Sequence, residues 1–84
     1  MALITTLLST LRVGETAIIK SFCDENLSLK FLEMGCLPGE PVTVYRIAPL
    51  GDPMAISVSG YLLGLRKEEA ATIWVELEKE SNSH

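Results

Sequence analysis

The chain contains a single histidine, His84, and it is the last of 84 residues, where no rigid neighbour can hold it against a nucleophile. A Ser–His or Cys–His catalytic arrangement is therefore set aside. No G-x-x-x-x-G-K-[ST] run occurs, so the chain lacks the loop of backbone amides and lysine that cradles a phosphate chain. Gly60 and Gly64, separated by Tyr-Leu-Leu, suit a hairpin instead. The only two cysteines, Cys23 and Cys36, are not spaced as C-x-x-C, which leaves out the usual zinc and dithiol patterns. Basic residues are also scarce. Seven Lys and Arg against eleven Asp and Glu give a net charge of −4, so no uniformly attractive field exists for a nucleic-acid backbone. No segment approaches the ~20 apolar residues that cross a bilayer. The opening Met1-Ala2-Leu3-Ile4 has no Lys or Arg before it and is interrupted at Thr5 and Thr6, unlike a signal peptide. These absences point to a cytoplasmic chain with reduced thiols, no nucleic-acid partner, no direct membrane insertion, and no catalytic group, cofactor or resident metal.

What is present is enough for one small core. Hydrophobic residues make up 48% and charged residues 21%, the balance of a chain that collapses rather than stays disordered. A domain of this length buries only roughly 60 to 65% of its unfolded surface, which leaves no room for a cleft between lobes. The expected domain spans residues 1–78, followed by a disordered polar tail over 79–84 that has no apolar anchor.

Periodicity divides the domain. In TTLLSTLRVGE, Leu8 and Leu11 lie three apart before Gly14, which predicts a helical turn lying as a lid over one end of the core. Glu15–Phe22 is rich in β-branched residues, with Ala17 and Ile19 on one face, and reads as the first strand. Leu27, Phe31 and Met34 then fall at i, i+4 and i+7, the stripe of a short helix. Asp24 or Asn26 is available to cap its start, Gly35 to end it, and Pro38-Gly39 to turn the chain back. Leu29 and Lys30 fall off the stripe, facing solvent. Pro41–Ala48 is a strand in which Val42 and Val44 share a face, and a bulge near Tyr45 and Arg46 would bring Ile47 onto it. Ala48–Pro53 is a turn-rich loop. Met54, Ile56 and Val58 alternate up to Ser59-Gly60, a two-residue hairpin turn into Tyr61, Leu63 and Leu65. Arg66–Ala71 suits one helical turn, and Ile73, Val75 and Leu77 mark the inner face of a last strand over Thr72–Leu77. The fold class is mostly β: about five strands with an inserted short helix and an amino-terminal helical turn, closed into a small SH3-like barrel because closure removes open edges.

Three runs in fixed order carry a resemblance to a known family: L-x-M-G-x-L-P-G over Leu32–Gly39, R-x-A-P-L-G-D-P over Arg46–Pro53, and G-Y-x-L-x-L-R-K-E-E-A over Gly60–Ala70. Together, across about Leu8 to Leu77, the chain resembles FeoA, the small accessory protein of bacterial ferrous iron uptake. Cys36 departs from the pattern, standing where the family usually has an aliphatic residue. The resemblance implies an SH3-like barrel that associates with FeoB, a ferrous iron transporter with a cytosolic GTP-binding part, in a regulatory or assembly role. It also implies a relation to the carboxyl-terminal domains of iron-dependent repressors, so a metal-sensing regulatory domain is the alternative reading.

Candidate contact residues follow from shape. Pro49 and Pro53 stiffen the loop so that Leu50 and Asp52 are presented with little entropy left to lose on binding, unless the loop is merely a connector. Trp74 alternates away from Ile73 and Val75, and is either a binding hot spot or an aromatic packed beneath the amino-terminal lid. Leu29, Lys30, Pro49, Leu50, Asp52 and Trp74 form the expected partner-binding set, on a protein that is a monomer or weak oligomer. Cys23, Asp24 and Glu25 form a weak thiolate–carboxylate alternative to incidental thiols. Glu68 and Glu69, adjacent on a helical turn, diverge and read as a solvated acidic turn. Recognition of proline-rich peptides ranks last, because only Tyr45, Tyr61, Trp74 and two phenylalanines are available for an aromatic groove.

Overall fold

The computed structural model describes residues 2–79. It has six strands, β1 (Ala2–Leu7), β2 (Thr16–Phe22), β3 (Pro41–Ile47), β4 (Met54–Val58), β5 (Tyr61–Leu65) and β6 (Ile73–Lys79). Helix α1 (Glu25–Glu33) joins β2 to β3, and the four-residue α2 (Lys67–Ala70) joins β5 to β6. All pairings are antiparallel, in the order β1-β6-β2-β3-β4-β5.

Three features differ from the sequence expectation. The amino-terminal helical turn exists, at Leu8–Thr10, and buries Leu8 and Leu11, but residues 2–7 before it form a sixth strand along β6. The ladder also ends at β1 and β5 rather than closing on itself, so the SH3-like sheet keeps two edges. Of the tail expected over 79–84, Lys79 ends β6, and residues 80–84 with His84 lie outside the described residues.

The remaining elements follow the side-chain pattern. Ala17 and Ile19, Val42 and Val44, Met54, Ile56 and Val58, and Ile73, Val75 and Leu77 all point into one core with Leu65, Ala70 and Cys36. The β3 bulge lies where the hydrophobic register slips, between Val44 and Arg46, and it returns Ile47 to the core side. A second irregularity, between Ile19 and Ser21, shifts β2 along β6. Among the described residues no polar or charged side chain is buried, so the core side chains are held by apolar burial rather than by buried polar pairs.

Helix α1 closes one end of this core. Asp24 Oδ1 accepts from the Asn26 and Leu27 amides at 2.9 and 3.0 Å, supplying the cap that frees the helix to start there. Phe31 is fully buried and its ring lies 5.6 Å from that of Phe22. The helix ends at Gly35, whose φ of +89° is reached without strain only by glycine. The Pro38-Gly39 turn follows, with the Glu40 amide donating to the Leu37 carbonyl at 3.0 Å.

The β4–β5 hairpin grips this helix end. Ser59 and Gly60 both have positive φ, 52° and 87°, the signature of a type I′ turn. From that turn Ser59 Oγ donates to the Gly35 carbonyl at 3.1 Å, and Tyr61 Oη donates to the Met34 carbonyl. A Cβ on Gly35 would meet Tyr61 Oη at 2.6 Å. Gly35→Ala is therefore expected to cost about 2 kcal/mol or more in urea unfolding, from backbone strain and a clash together. Gly39→Ala, at φ +95° with no atom within 4 Å of the new Cβ, should lose only the backbone part, about 1 kcal/mol. In a Tyr61→Phe background the Gly35→Ala penalty should shrink to the Gly39→Ala value; equal penalties with and without the hydroxyl would show that the contact contributes nothing.

Candidate functional site

The short helix α2 is the junction to which two of the sequence-predicted contact residues, Lys30 and Asp52, attach. Lys30 reaches across from α1 to Glu69, Nζ to Oε2 at 2.6 Å. The other Glu69 oxygen accepts from the Arg66 amide at 2.9 Å, so one carboxylate both caps α2 and ties it to α1. Glu69 is thus a structural anchor rather than part of the solvated acidic turn read from the sequence, while Glu68 does stand in solvent. Its partner Lys30 is 39 residues away, which is why local spacing gave no sign of the pair.

The loop after β3 meets the same helix from the other side. Asp52 Oδ1 accepts from the Lys67 amide at 3.0 Å. The loop is closed internally by Gly51 N–H to the Ala48 carbonyl at 2.7 Å and Ala48 N–H to the Pro53 carbonyl at 3.0 Å, and its Asp52–Pro53 peptide is cis. With its carboxylate engaged, Asp52 holds the loop against α2. Leu50 is left at the tip, 95% exposed, beside exposed Pro49.

Lys30 and Asp52 therefore attach to the same helix, which is only about 6 Å long. Leu29, 67% exposed, and Leu32, 38% exposed, lie off the buried Phe31 face of α1 and leave apolar surface in solvent. Spacing identified Leu29 but missed Leu32, its i+3 neighbour.

Trp74 stands apart. It sits on the outer face of β6 between Leu7 of β1 and Ser21 of β2, and is 38% exposed. The amino-terminal turn does not bury it. On the same outer face a groove of about 340 Å³ runs between β1, β6 and β2, lined by Leu3, Ile18, Glu76 and Glu78 among others. Lys20 pairs with Glu76 at 3.6 Å beside it.

The cysteines do not converge. Cys23 is exposed, whereas Cys36 is fully buried in the core, where burial pushes its thiol pKa up and keeps it protonated. It packs as a small apolar residue of the core. Asp24 of the alternative thiolate–carboxylate trio is occupied as the α1 cap. Among the described residues no group of three or more His, Cys, Asp or Glu is arranged to hold a metal ion.

Two expectations follow from these environments. Native protein treated with iodoacetamide should gain one adduct, on Cys23, and a second, on Cys36, only after unfolding; two rapid adducts in the native state would contradict the burial of Cys36. The Lys30 hydrogen bond, helped by the Arg66 amide, lowers the pKa of Glu69 in the folded state against a smaller opposing effect of burial. A carboxylate with a lowered folded pKa contributes stability in full above its unfolded value, about 4.3, and loses it as pH falls through the folded pKa. Urea midpoints measured across this acid range should therefore fall less steeply for Glu69→Gln than for the wild type. Parallel slopes would refute the assignment.

The geometry has the outline of a known family, and comparison with known proteins agrees. Residues 6–77 match the FeoA domain family. An Fe(2+) transport protein A/Fe(2+) transporter FeoB fusion protein of Porphyromonas gingivalis is 41% identical over 71 residues, covering 83% of this chain but 8% of that relative's length. A FeoA-like protein from Clostridium acetobutylicum has the same fold at a TM-score of 0.84 and 31% identity, with 95% of this chain and 94% of that one covered. The FeoA of Stenotrophomonas maltophilia, a prokaryotic SH3 domain protein solved in complex with zinc, matches at a TM-score of 0.74 and 27% identity over 83% of this chain and 88% of that one. No helix among the described residues is long and apolar enough to cross a membrane. With nearly the whole described chain inside the family match, this protein belongs to the FeoA family.

Proposed function

We propose that this chain is a cytosolic accessory module of ferrous iron uptake that docks on the GTP-binding part of FeoB and regulates or assembles the transporter. The observation that carries this reading is the Porphyromonas gingivalis relative, in which a domain 41% identical to this one shares a polypeptide with FeoB. Fusion holds two modules at an effective concentration in the millimolar range for short flexible linkers, so a separate chain must supply by affinity what the linker supplies there. Its contribution is binding and not bond-making.

The α2 junction supports docking physically. Leu50 and Leu29 offer exposed apolar side chains on backbone already ordered by the Asp52–Lys67 and Lys30–Glu69 contacts, so little further ordering is needed when a partner covers them. Pro49 stiffens the loop, and Lys30 and Asp52 border it with charge. Trp74 provides a second contact on the outer sheet face.

Titration calorimetry with the cytosolic part of FeoB tests this in GTP-bound, GDP-bound and nucleotide-free states. Leu29→Asp and Leu50→Asp should each weaken binding about tenfold or more without changing the melting temperature, since both side chains are exposed. Failure of the wild type to bind in every nucleotide state overturns the proposal.

A further inference from the structure

Strand β5 ends the sheet opposite β1 and carries no charge or proline from Tyr61 to Leu65, although natural edge strands are usually blunted by one or the other. Its free hydrogen-bonding groups can be assigned. The type I′ turn makes Val58 and Tyr61 a bonded pair, and bonded pairs then recur at Ile56–Leu63 and Met54–Leu65. The N–H and C=O groups of Leu62 and Gly64 therefore point away from β4, toward solvent. Leu62 is also 54% exposed through its side chain.

Gly64 has no explanation within its own chain. Its φ is not in the left-handed region, and a Cβ there would meet nothing within 4 Å. Glycine inside a strand weakens it and often marks the close approach of another backbone.

We infer that β5 is a self-association edge, and that two copies of this chain pair antiparallel about a two-fold axis at Leu63. In that register Leu62 of each copy lies opposite Gly64 of the other, and both form bonded pairs, using all the outward groups of the strand. Each leucine side chain then fits over the glycine of the opposite copy, the space a Cβ would otherwise fill, and reaches the other leucine diagonally. The two Arg66 residues are held about 20 Å apart, six residues at ~3.4 Å each, well beyond the ~8 Å screening length. No like charges face one another across the strand pair. At β1, the other uncharged edge, no comparable unexplained glycine occurs. The inference is independent of FeoB docking, which uses the α2 junction.

The test is sedimentation equilibrium on the full chain from low micromolar to near-millimolar concentration, with amide hydrogen exchange at both ends of that range. The mass should rise toward that of a dimer, and the Leu62 and Gly64 amides should pass from fast to slow exchange as it does. Leu62→Lys, which places a charge on the edge, and Gly64→Pro, which removes only an outward N–H, should both stay monomeric with the wild-type circular dichroism spectrum. A wild type that is monomeric throughout, or a dimer that survives both substitutions, overturns the proposal. So does slow exchange of these two amides that appears only when the cytosolic part of FeoB is added, which would assign the edge to a strand of that partner.

Discussion

The tip of the β4–β5 hairpin holds the last turn of α1, and that grip decides where the helix lies over the open end of the core. Tyr61 and Ser59 satisfy the carbonyls of Met34 and Gly35, groups that a helix end leaves without internal partners. Because Gly35 carries no side chain, the tyrosine hydroxyl can sit directly on the backbone. The consequence is non-local. With the helix end fixed, Phe31 is delivered into the core beside Phe22 of β2, and the Pro38-Gly39 turn starts β3 beside β2. The hairpin and the helix thus constrain each other, and both are needed to place β3.

A second set of contacts converges on α2. Four residues cannot form a stable helix alone, so its position is set from outside: Asp52 from the loop, Lys30 from α1 through Glu69, and Ala70 through the core. The exposed Lys30–Glu69 attraction is worth little by itself in water. Its effect is to orient a carboxylate that also caps the helix, so a weak ion pair supports a backbone hydrogen bond. The same anchors order the loop that presents Leu50. A structural requirement and a presented surface are thereby met by the same residues.

How far the sequence could be read depended on whether a residue's role was set by its neighbours in the chain. The α1 stripe of Leu27, Phe31 and Met34, the β3 bulge and the Ser59-Gly60 hairpin all follow from period and turn chemistry and are where spacing places them, and of the two cap candidates the structure uses Asp24. Strand β1 was illegible for a physical reason. It is an edge strand whose residues Ala2–Thr5 are all exposed, so it has no inward face to produce an alternating pattern, and pairing with β6 alone makes it a strand. Openness of the sheet was equally hidden, since strand count does not say whether the first and last edges meet. At the candidate site, the exposure of Leu29 and Leu50 was legible from the helix stripe and the loop composition. The structural roles of Asp52 and Glu69 were not.

Sequence by itself determined the class of this protein: a small, mostly β domain with an apolar core, and the three runs that carry the family resemblance. Those are properties of local order and composition, which the chain carries before it folds. Tertiary structure alone decided which surfaces remain exposed. The tie from Lys30 to Glu69, the seat of Asp52 on α2 and the free edge at Leu62 and Gly64 each depend on segments far apart in the chain. Such contacts form only when the core brings those segments together, and no spacing rule along the chain encodes them.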